Sequence, residues 1–533
     1  MRVREFIFRY RLFIISFPFF LAIAFLRRSP YWQHGIDLPW QAGLSLAFLP
    51  LLPGIIAGQS RWLAVGLMAA VFTPFQSGVI GACLVGIAVI ALFDRRAAGV
   101  WRSAKRILLP VALYFVFVVV RWVSEWGSVH TPLSMSYTAA TQYVAPLAAF
   151  VTAWVLSEET PHRGMDALSL LFLAEAAVLL FYPFGIGRPQ LLASASNGLL
   201  KPVYTLLNLP WTFPWYDPDW NPGSLSIVNY TGIVMIAASV LCLSRWYVRR
   251  KWVDLAGWAL TFILALTAEN TIAAGTAVWA FLITMVLLVV WALLPKRSPM
   301  FLRVSFGAAI SAFGLVGLLF LVYLGNGRYA ETQKGHFYRL AFRTVLERPN
   351  RLLFGYGAGA YGSRAALLRI PEDPYRARSF FQQTYGLDRV GEMFPPGDFG
   401  KDFAEVRSRP ALWVNESQGL IYSGIVPILL ENGLIGVLLI LIAAYPILHA
   451  IAVFSASHGR EGRAGAFFAL FCLLFLLCLS VFYNYMEIPT IVFLLSFPSF
   501  AIFFGLRKAF GYPGLSSSAV PPGAGSMKNF PRG

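Results

Sequence analysis

The chain has 533 residues, of which 58% are apolar and only 13% are charged. Soluble proteins carry about 25% charged residues, so this composition excludes the ordinary soluble globular class. The net charge of +18 would suggest nucleic acid in a soluble protein. Here the basic residues cluster in short loops between apolar runs, where Lys and Arg set membrane topology, so no nucleic-acid partner is expected.

The apolar residues fall into runs close to the ~20 residues that a helix needs to cross a bilayer. This pattern predicts an all-α integral membrane protein with about 12–14 transmembrane helices. The lower number applies if the two short runs 62–75 and 78–93 are not spans. The predicted spans are 12–26, 38–57, 62–75, 78–93, 107–123, 138–156, 165–183, 224–244, 253–269, 272–294, 303–324, 430–451, 464–483 and 488–507.

Basic clusters predict the orientation of the chain. If the chain has fourteen spans, all six basic clusters fall on the side of the N-terminus. The clusters lie at 2–11, 94–106, 245–251, 296–303, 460–463 and 507–508. Because positive loops face the cytoplasm, we expect cytoplasmic N- and C-termini and a large loop that lies outside, in the periplasm if the cell has one. The chain then divides into membrane helices 1–11 (1–324), a large periplasmic loop with amphipathic helices (325–429), the last three spans (430–507) and a disordered cytoplasmic tail (508–533).

A smaller external loop at 184–223 is rich in aromatic and acidic residues. It contains Trp215, Asp217, Asp219 and Trp220. One interpretation is an aromatic belt at the membrane interface. The other is a saccharide-binding surface, because aromatic rings stack on sugars while carboxylates accept hydrogen bonds from hydroxyls. The four cysteines lie inside apolar runs, so neither a disulfide framework nor a metal site is expected.

The large loop is rich in arginine. Residues 325–417 contain 14 basic residues, of which 12 are Arg, against 10 acidic ones. Planar guanidinium groups bind phosphate bidentately, which makes Arg328, Arg339 and Arg343 candidate substrate-binding residues. Weak ion pairs with the acidic residues are the alternative interpretation. On span five, Arg121 and Glu125 are four residues apart and could pair on one helix face.

Two glycine motifs accompany these arginines. Leu352–Tyr361 is a glycine-rich turn that is no P-loop, since no Lys-Ser/Thr pair follows it. The loop ends in Leu430–Gly436, which leads into the next span. The order of an arginine-bearing helix (Arg339–Phe342), the Phe354–Gly357 turn and the Leu430–Gly436 segment resembles the bacterial O-antigen ligase and polysaccharide polymerase family. The resemblance covers about residues 220–480.

This resemblance implies a glycosyltransferase of the bacterial inner (plasma) membrane, whose donor is a glycan on undecaprenyl pyrophosphate. Its arginines would bind the pyrophosphate, membrane lipid and polysaccharide assembly proteins would be partners, and neither metal nor other cofactor would be needed. A loop histidine would deprotonate the acceptor hydroxyl. The position corresponding to that histidine is Tyr422 here, so Glu416 and His336 are the further candidates for the base.

Two other classes of protein fit the sequence. A transporter or flippase would show inverted repeats and charges near the bilayer centre, whereas no clear repeat is present and the charges lie at the ends of spans. A non-catalytic subunit of a polysaccharide assembly system would lack the catalytic histidine and tolerate single substitutions in the large loop.

Overall fold

The structure is a computed structural model. It describes residues 3–26, 48–57, 59–73, 81, 97–126, 130–157, 161–181, 228–268, 277, 280–288, 343, 346–363, 366, 424–482 and 485–510. These residues are predominantly helical and include no β-strand. The protein is an all-α membrane protein, as its composition predicts.

The longest described helix has 33 residues, and most others are long enough to cross much of a bilayer. A π-helical turn, Ala139–Tyr143, separates α5 from α6. In chain order the helices are α1 Val3–Leu26, α2 Leu52–Ala57, α3 Ser60–Ala70, α4 Ala97–Ser124, α5 Pro132–Thr138, α6 Val144–Ser157, α7 Pro161–Phe181, α8 Val228–Arg249, α9 Trp252–Ala268, α10 Pro349–Phe354, α11 Ile425–Ser457, α12 Gly459–Phe482 and α13 Pro489–Phe510.

Four stretches of the described chain are long and apolar enough to span a membrane, namely Ser134–Leu156, Gly232–Arg249, Ile428–Ala456 and Gly459–Ser480. Shorter apolar helices cover Tyr10–Ile23, Arg61–Ala70, Leu109–Ser124, Trp252–Ala265 and Thr490–Gly505. The predicted spans 78–93 and 303–324 lie wholly or almost wholly outside the described residues, so the total of 12–14 stays a prediction.

Most described helices overlap predicted spans, but α1 begins at Val3 and α4 at Ala97, nine and ten residues before the predicted spans 12–26 and 107–123. α11 begins at Ile425, whereas the apolar pattern predicts a span from 430. The predicted external loop 184–223, the part of the large loop at 367–423 and the tail from 511 onward lie outside the described residues. The segment boundaries derived from the sequence therefore stay predictions.

Neighbouring helices pack in antiparallel pairs around an apolar core. α8 packs along α9, α11 along α12, and α12 along α13, while α4 lies against α11 and α6 against α13. The core between them is aromatic, with Phe471 stacked on Phe475 at a centroid distance of 5.2 Å. Close packing of such rings supplies the dispersion contacts that hold helices together where lipid removes the hydrophobic driving force.

Helices α4 and α11 also present apolar side chains outward. On α4 these include Leu113, Val116 and Val120, and on α11 Leu438 and Leu441, each about half or more exposed. In water such rows would be unfavourable, but in a bilayer they contact lipid chains. Lipid can therefore reach both helices along their length.

Charged and polar clusters mark the two ends of the bundle. At one end, the start of α7 lies beside the end of α8, and Asp166 pairs there with both Arg245 and Arg249. At the opposite end, the end of α4 lies beside the start of α11, and the site described next is located there. By the predicted topology, the first end faces the cytoplasm and the second faces outward.

Candidate functional site

A glycine turn, residues 355–363, follows the short helix α10. Gly355, Gly357, Gly359 and Gly362 have φ angles of +70°, +89°, +83° and +81°. Side chains with a Cβ rarely adopt this left-handed region, so glycine at these positions allows the chain to coil on itself. The repeated glycines of the sequence are therefore required by the backbone, and the turn is buried rather than exposed.

The glycine turn is in backbone contact with the start of α11. A Cβ on Gly355 would lie 2.2 Å from the carbonyl oxygen of Glu431, and one on Gly433 would lie 2.4 Å from the Gly355 nitrogen. Gly433 has φ +61°, which kinks α11 and frees carbonyls in its first turns. The Tyr356 amide donates to the Leu430 carbonyl (2.8 Å) and Gly357 to that of Glu431 (2.9 Å).

The Glu431 carboxylate binds the turn a second time. It accepts from the amides of Gly359 (2.8 Å) and Tyr361 (2.9 Å), and its side chain also bonds that of Ser363. The residue is only 1% exposed. Successive amides that converge on one carboxylate form an anion-binding concavity, and such charge-assisted bonds are the strong class. Glu431 thus fixes the glycine turn to the start of the span.

Gln142 links this carboxylate to a second one. Its side-chain amide donates to Glu431 (3.1 Å) and to Glu487 (2.7 Å), which lies between α12 and α13. Gln142 belongs to the π-helical turn, a feature that often re-aims side chains at functional sites. Next to it, Tyr114 of α4 donates to Asn432 at 2.7 Å. Four chain segments therefore meet in one hydrogen-bonded network.

An arginine cluster, defined here as Arg121, Glu125 and Arg351, lies beside the glycine turn. Arg121 donates to Glu125 at 2.6 Å and to the Gly355 carbonyl at 2.9 Å. Arg351 of α10 donates to the same Glu125 oxygen, and its guanidinium stacks over Tyr356 at 5.0 Å. The three side chains are 12–21% exposed. The cluster carries two positive charges against one negative charge.

Trp122 and His130 complete the contact between α4 and the glycine turn. The Trp122 indole donates to the Ala358 carbonyl at 2.9 Å. His130 is 1% exposed, and a Cβ on Gly357 would lie 2.7 Å from its Nε2. The glycine turn therefore lies between α4 on one side and α11 on the other.

The structure describes only one of the predicted site residues. Arg343 forms an ion pair with Glu347 at 2.7 Å, with side chains 76% and 60% exposed. Such a solvated pair contributes little, and it matches the ion-pair interpretation of the loop arginines. The others lie outside the described residues: Arg328, Arg339, His336, Glu416, Tyr422, Trp215, Asp217, Asp219 and Trp220.

Sequence reasoning identified the parts of this site but not their association. It predicted the Arg121–Glu125 pair, which is confirmed, and singled out both glycine motifs. It missed Arg351 as the second cation and Gln142 and Glu487 as partners of Glu431. The ionisable Glu431 at the start of an apolar run was the signal that could have pointed to a buried partner.

Comparison with known proteins adds no family. No protein-family model matches the chain, and no curated protein matches it. Within the described residues, no group of three His, Cys, Asp or Glu side chains could hold a metal ion. The chemistry of the site therefore follows from its arginines, its carboxylates and its position in the bundle.

Proposed function

We propose that the protein is a bacterial inner-membrane glycan polymerase or ligase, which transfers a saccharide from a lipid pyrophosphate to an acceptor hydroxyl. The observation that carries this proposal is the arginine cluster at the end of α4, where two guanidiniums share one carboxylate. A phosphate-bearing lipid matches a site that is cationic and adjoins lipid-accessible helices. The glycine and span motifs that suggested this family also lie in contact here.

The proposed reaction is a displacement at the anomeric carbon of the donor sugar. A bond forms between the acceptor oxygen and that carbon, the bond from the carbon to the diphosphate oxygen breaks, and the hydroxyl proton passes to a base. Negative charge grows on the departing diphosphate, where Arg121 and Arg351 would stabilise it. The donor is already activated, so no nucleotide is needed. Glu416 and His336 stay the candidate bases, and Tyr422 stands at the position of the expected histidine.

The observation that favours a transporter is the pair of buried carboxylates, Glu431 and Glu487. Ionisable groups in membrane spans often mark ion pathways. However, Glu431 is bonded by the backbone amides of the glycine turn, a fixed arrangement that suits a structural role. For this reason we rank a transporter, or a non-catalytic assembly subunit, second to the glycan polymerase or ligase.

The test replaces Arg351 by alanine and follows surface glycan and lipid-linked intermediates in cells, with protein level measured in parallel. We expect long polymer to fall about 100-fold or more, the usual effect of removing a group that stabilises the leaving charge. Lipid-linked repeat units should accumulate. Arg250→Ala is the matched control, because Arg250 also stacks on an aromatic ring, Trp246 at 4.9 Å, but at the other end of the bundle.

Normal polymer in cells that contain stable Arg351→Ala protein would contradict the proposal. Lipid-linked units confined to the cytoplasmic leaflet would instead indicate a transporter. Loss of polymer from both Arg351→Ala and Arg250→Ala would point to a general folding defect and would not support the proposed site.

A further inference from the structure

The arginine cluster is more than a cationic patch, because an anion already occupies it. Arg121 and Arg351 reach Glu125 from different segments, α4 and α10, and donate to the same carboxylate oxygen. This places a carboxylate where a phosphate oxygen of a ligand would be bound. Two guanidiniums that converge on one oxygen in this way would also suit a phosphate oxygen.

Glu125 is positioned so that it can leave. It lies just beyond the last residue of α4, in a turn where the His130 amide donates to the Glu125 carbonyl. Rotation of its side chain can move the carboxylate away from the arginines without any change in the backbone. The two arginines are held independently, Arg121 by the Gly355 carbonyl and Arg351 by stacking on Tyr356.

The cluster also has unused capacity for an anion. The Nε of Arg121 is buried and makes no hydrogen bond within the described part of the chain. A carboxylate carries one charge, whereas a diphosphate carries more charge and more acceptor oxygens. Two guanidiniums would satisfy more of their donors with a diphosphate than with the single oxygen of Glu125.

We propose that Glu125 is an internal counter-ion, which pairs with Arg121 and Arg351 before the donor binds and is displaced when the diphosphate group of the lipid donor binds. This inference rests on the proposed function. Glu125 then sets the affinity for the donor, because each binding event has to break its two ion pairs. The carboxylate also offsets one of the two positive charges, which weakens the attraction of the site for other anions.

The test measures binding to the purified full-length protein in nanodiscs. The probes are undecaprenyl diphosphate, inorganic pyrophosphate and undecaprenol, which separate the lipid diphosphate from free phosphate and from the lipid chain. Glu125→Gln keeps the shape of the side chain and removes its charge. We expect it to bind undecaprenyl diphosphate about tenfold more tightly than the wild type, the scale of coupling between close charge pairs.

Two further variants keep the test decisive. Glu125→Asp retains the charge with a shorter reach, so its affinity should lie between those of the wild type and Glu125→Gln. Asp166→Asn is the control, because Asp166 also pairs with two arginines but lies at the opposite end. It should leave donor affinity unchanged, and all variants are compared for thermal unfolding in detergent.

The outcomes separate the two proposals. Equal or weaker binding by folded Glu125→Gln and Glu125→Asp, together with loss of binding in Arg351→Ala, would overturn the counter-ion role and leave the donor site in place. Unchanged binding in Arg351→Ala would remove the donor site itself. If inorganic pyrophosphate bound as tightly as undecaprenyl diphosphate, the lipid would not be the ligand that the site recognises. Undecaprenol should not compete.

Discussion

Replacing Glu431 by alanine should detach the glycine turn from α11. The substitution removes the acceptor of two backbone amides, those of Gly359 and Tyr361, in a site that is 1% exposed. A hydrogen bond to a charged group contributes about 1.5–3 kcal/mol, and each of the two amides loses one. We expect a loss of stability of about 3–5 kcal/mol for Glu431→Ala.

The assay is thermal unfolding of the detergent-purified protein, combined with limited trypsin digestion. Glu431→Gln keeps one neutral acceptor oxygen, so its loss should be smaller, about 1–3 kcal/mol. Trypsin should cleave after Arg351 faster in Glu431→Ala, because the turn that follows this residue is no longer fixed. The control is Glu461→Ala, which changes an exposed acid in the first turn of α12.

A Glu431→Ala protein that unfolds and is digested like Glu461→Ala would refute this reasoning. It would mean that the backbone bonds to Leu430 and Glu431 carbonyls hold the turn by themselves. A decrease in Glu431→Gln as large as that in Glu431→Ala would show that the negative charge, rather than the number of acceptors, decides the stability.

Two further predictions concern the packing of the glycine turn against α11 and α4. Gly433→Ala should cost about 3 kcal/mol or more, because its Cβ would lie 2.4 Å from the Gly355 nitrogen at φ +61°. Gly459→Ala, with φ +57° and no atom within 4 Å, should cost only about 1–2 kcal/mol, and thermal unfolding of both checks this. Trp122→Phe removes the bond to the Ala358 carbonyl and should cost about 1–3 kcal/mol by the same measurement. Equal stability of the two glycine variants would contradict the close approach, and a Trp122→Phe protein as stable as the wild type would contradict the indole bond.

The approximate positions of most long helices were predictable, because a bilayer restricts the structures that can cross it. A helix satisfies its own backbone hydrogen bonds, so an apolar run of sufficient length specifies a span without reference to its neighbours. α8 and α9 therefore begin and end within a few residues of the predicted spans 224–244 and 253–269. The connection at Arg250–Lys251 was likewise visible as a basic cluster.

The sequence predicted the glycine turn but not the chain segment that the turn contacts. Repeated glycines predict left-handed backbone, and the structure gives positive φ at four of them. The sequence does not say which chain segment such a turn approaches. The partner proved to be Gly433, about eighty residues further along the chain, where only two glycines facing each other permit backbone contact.

The sequence by itself determined the all-helical membrane class, the approximate spans and the local pair of Arg121 with Glu125, because each depends on residues close together in the chain. Only the tertiary structure decided that Arg351 joins that pair and that Glu431 binds the glycine turn. Both depend on α4, α10 and α11 meeting at one end of the bundle. Such meetings follow from side-chain packing between distant segments, which no local periodicity encodes.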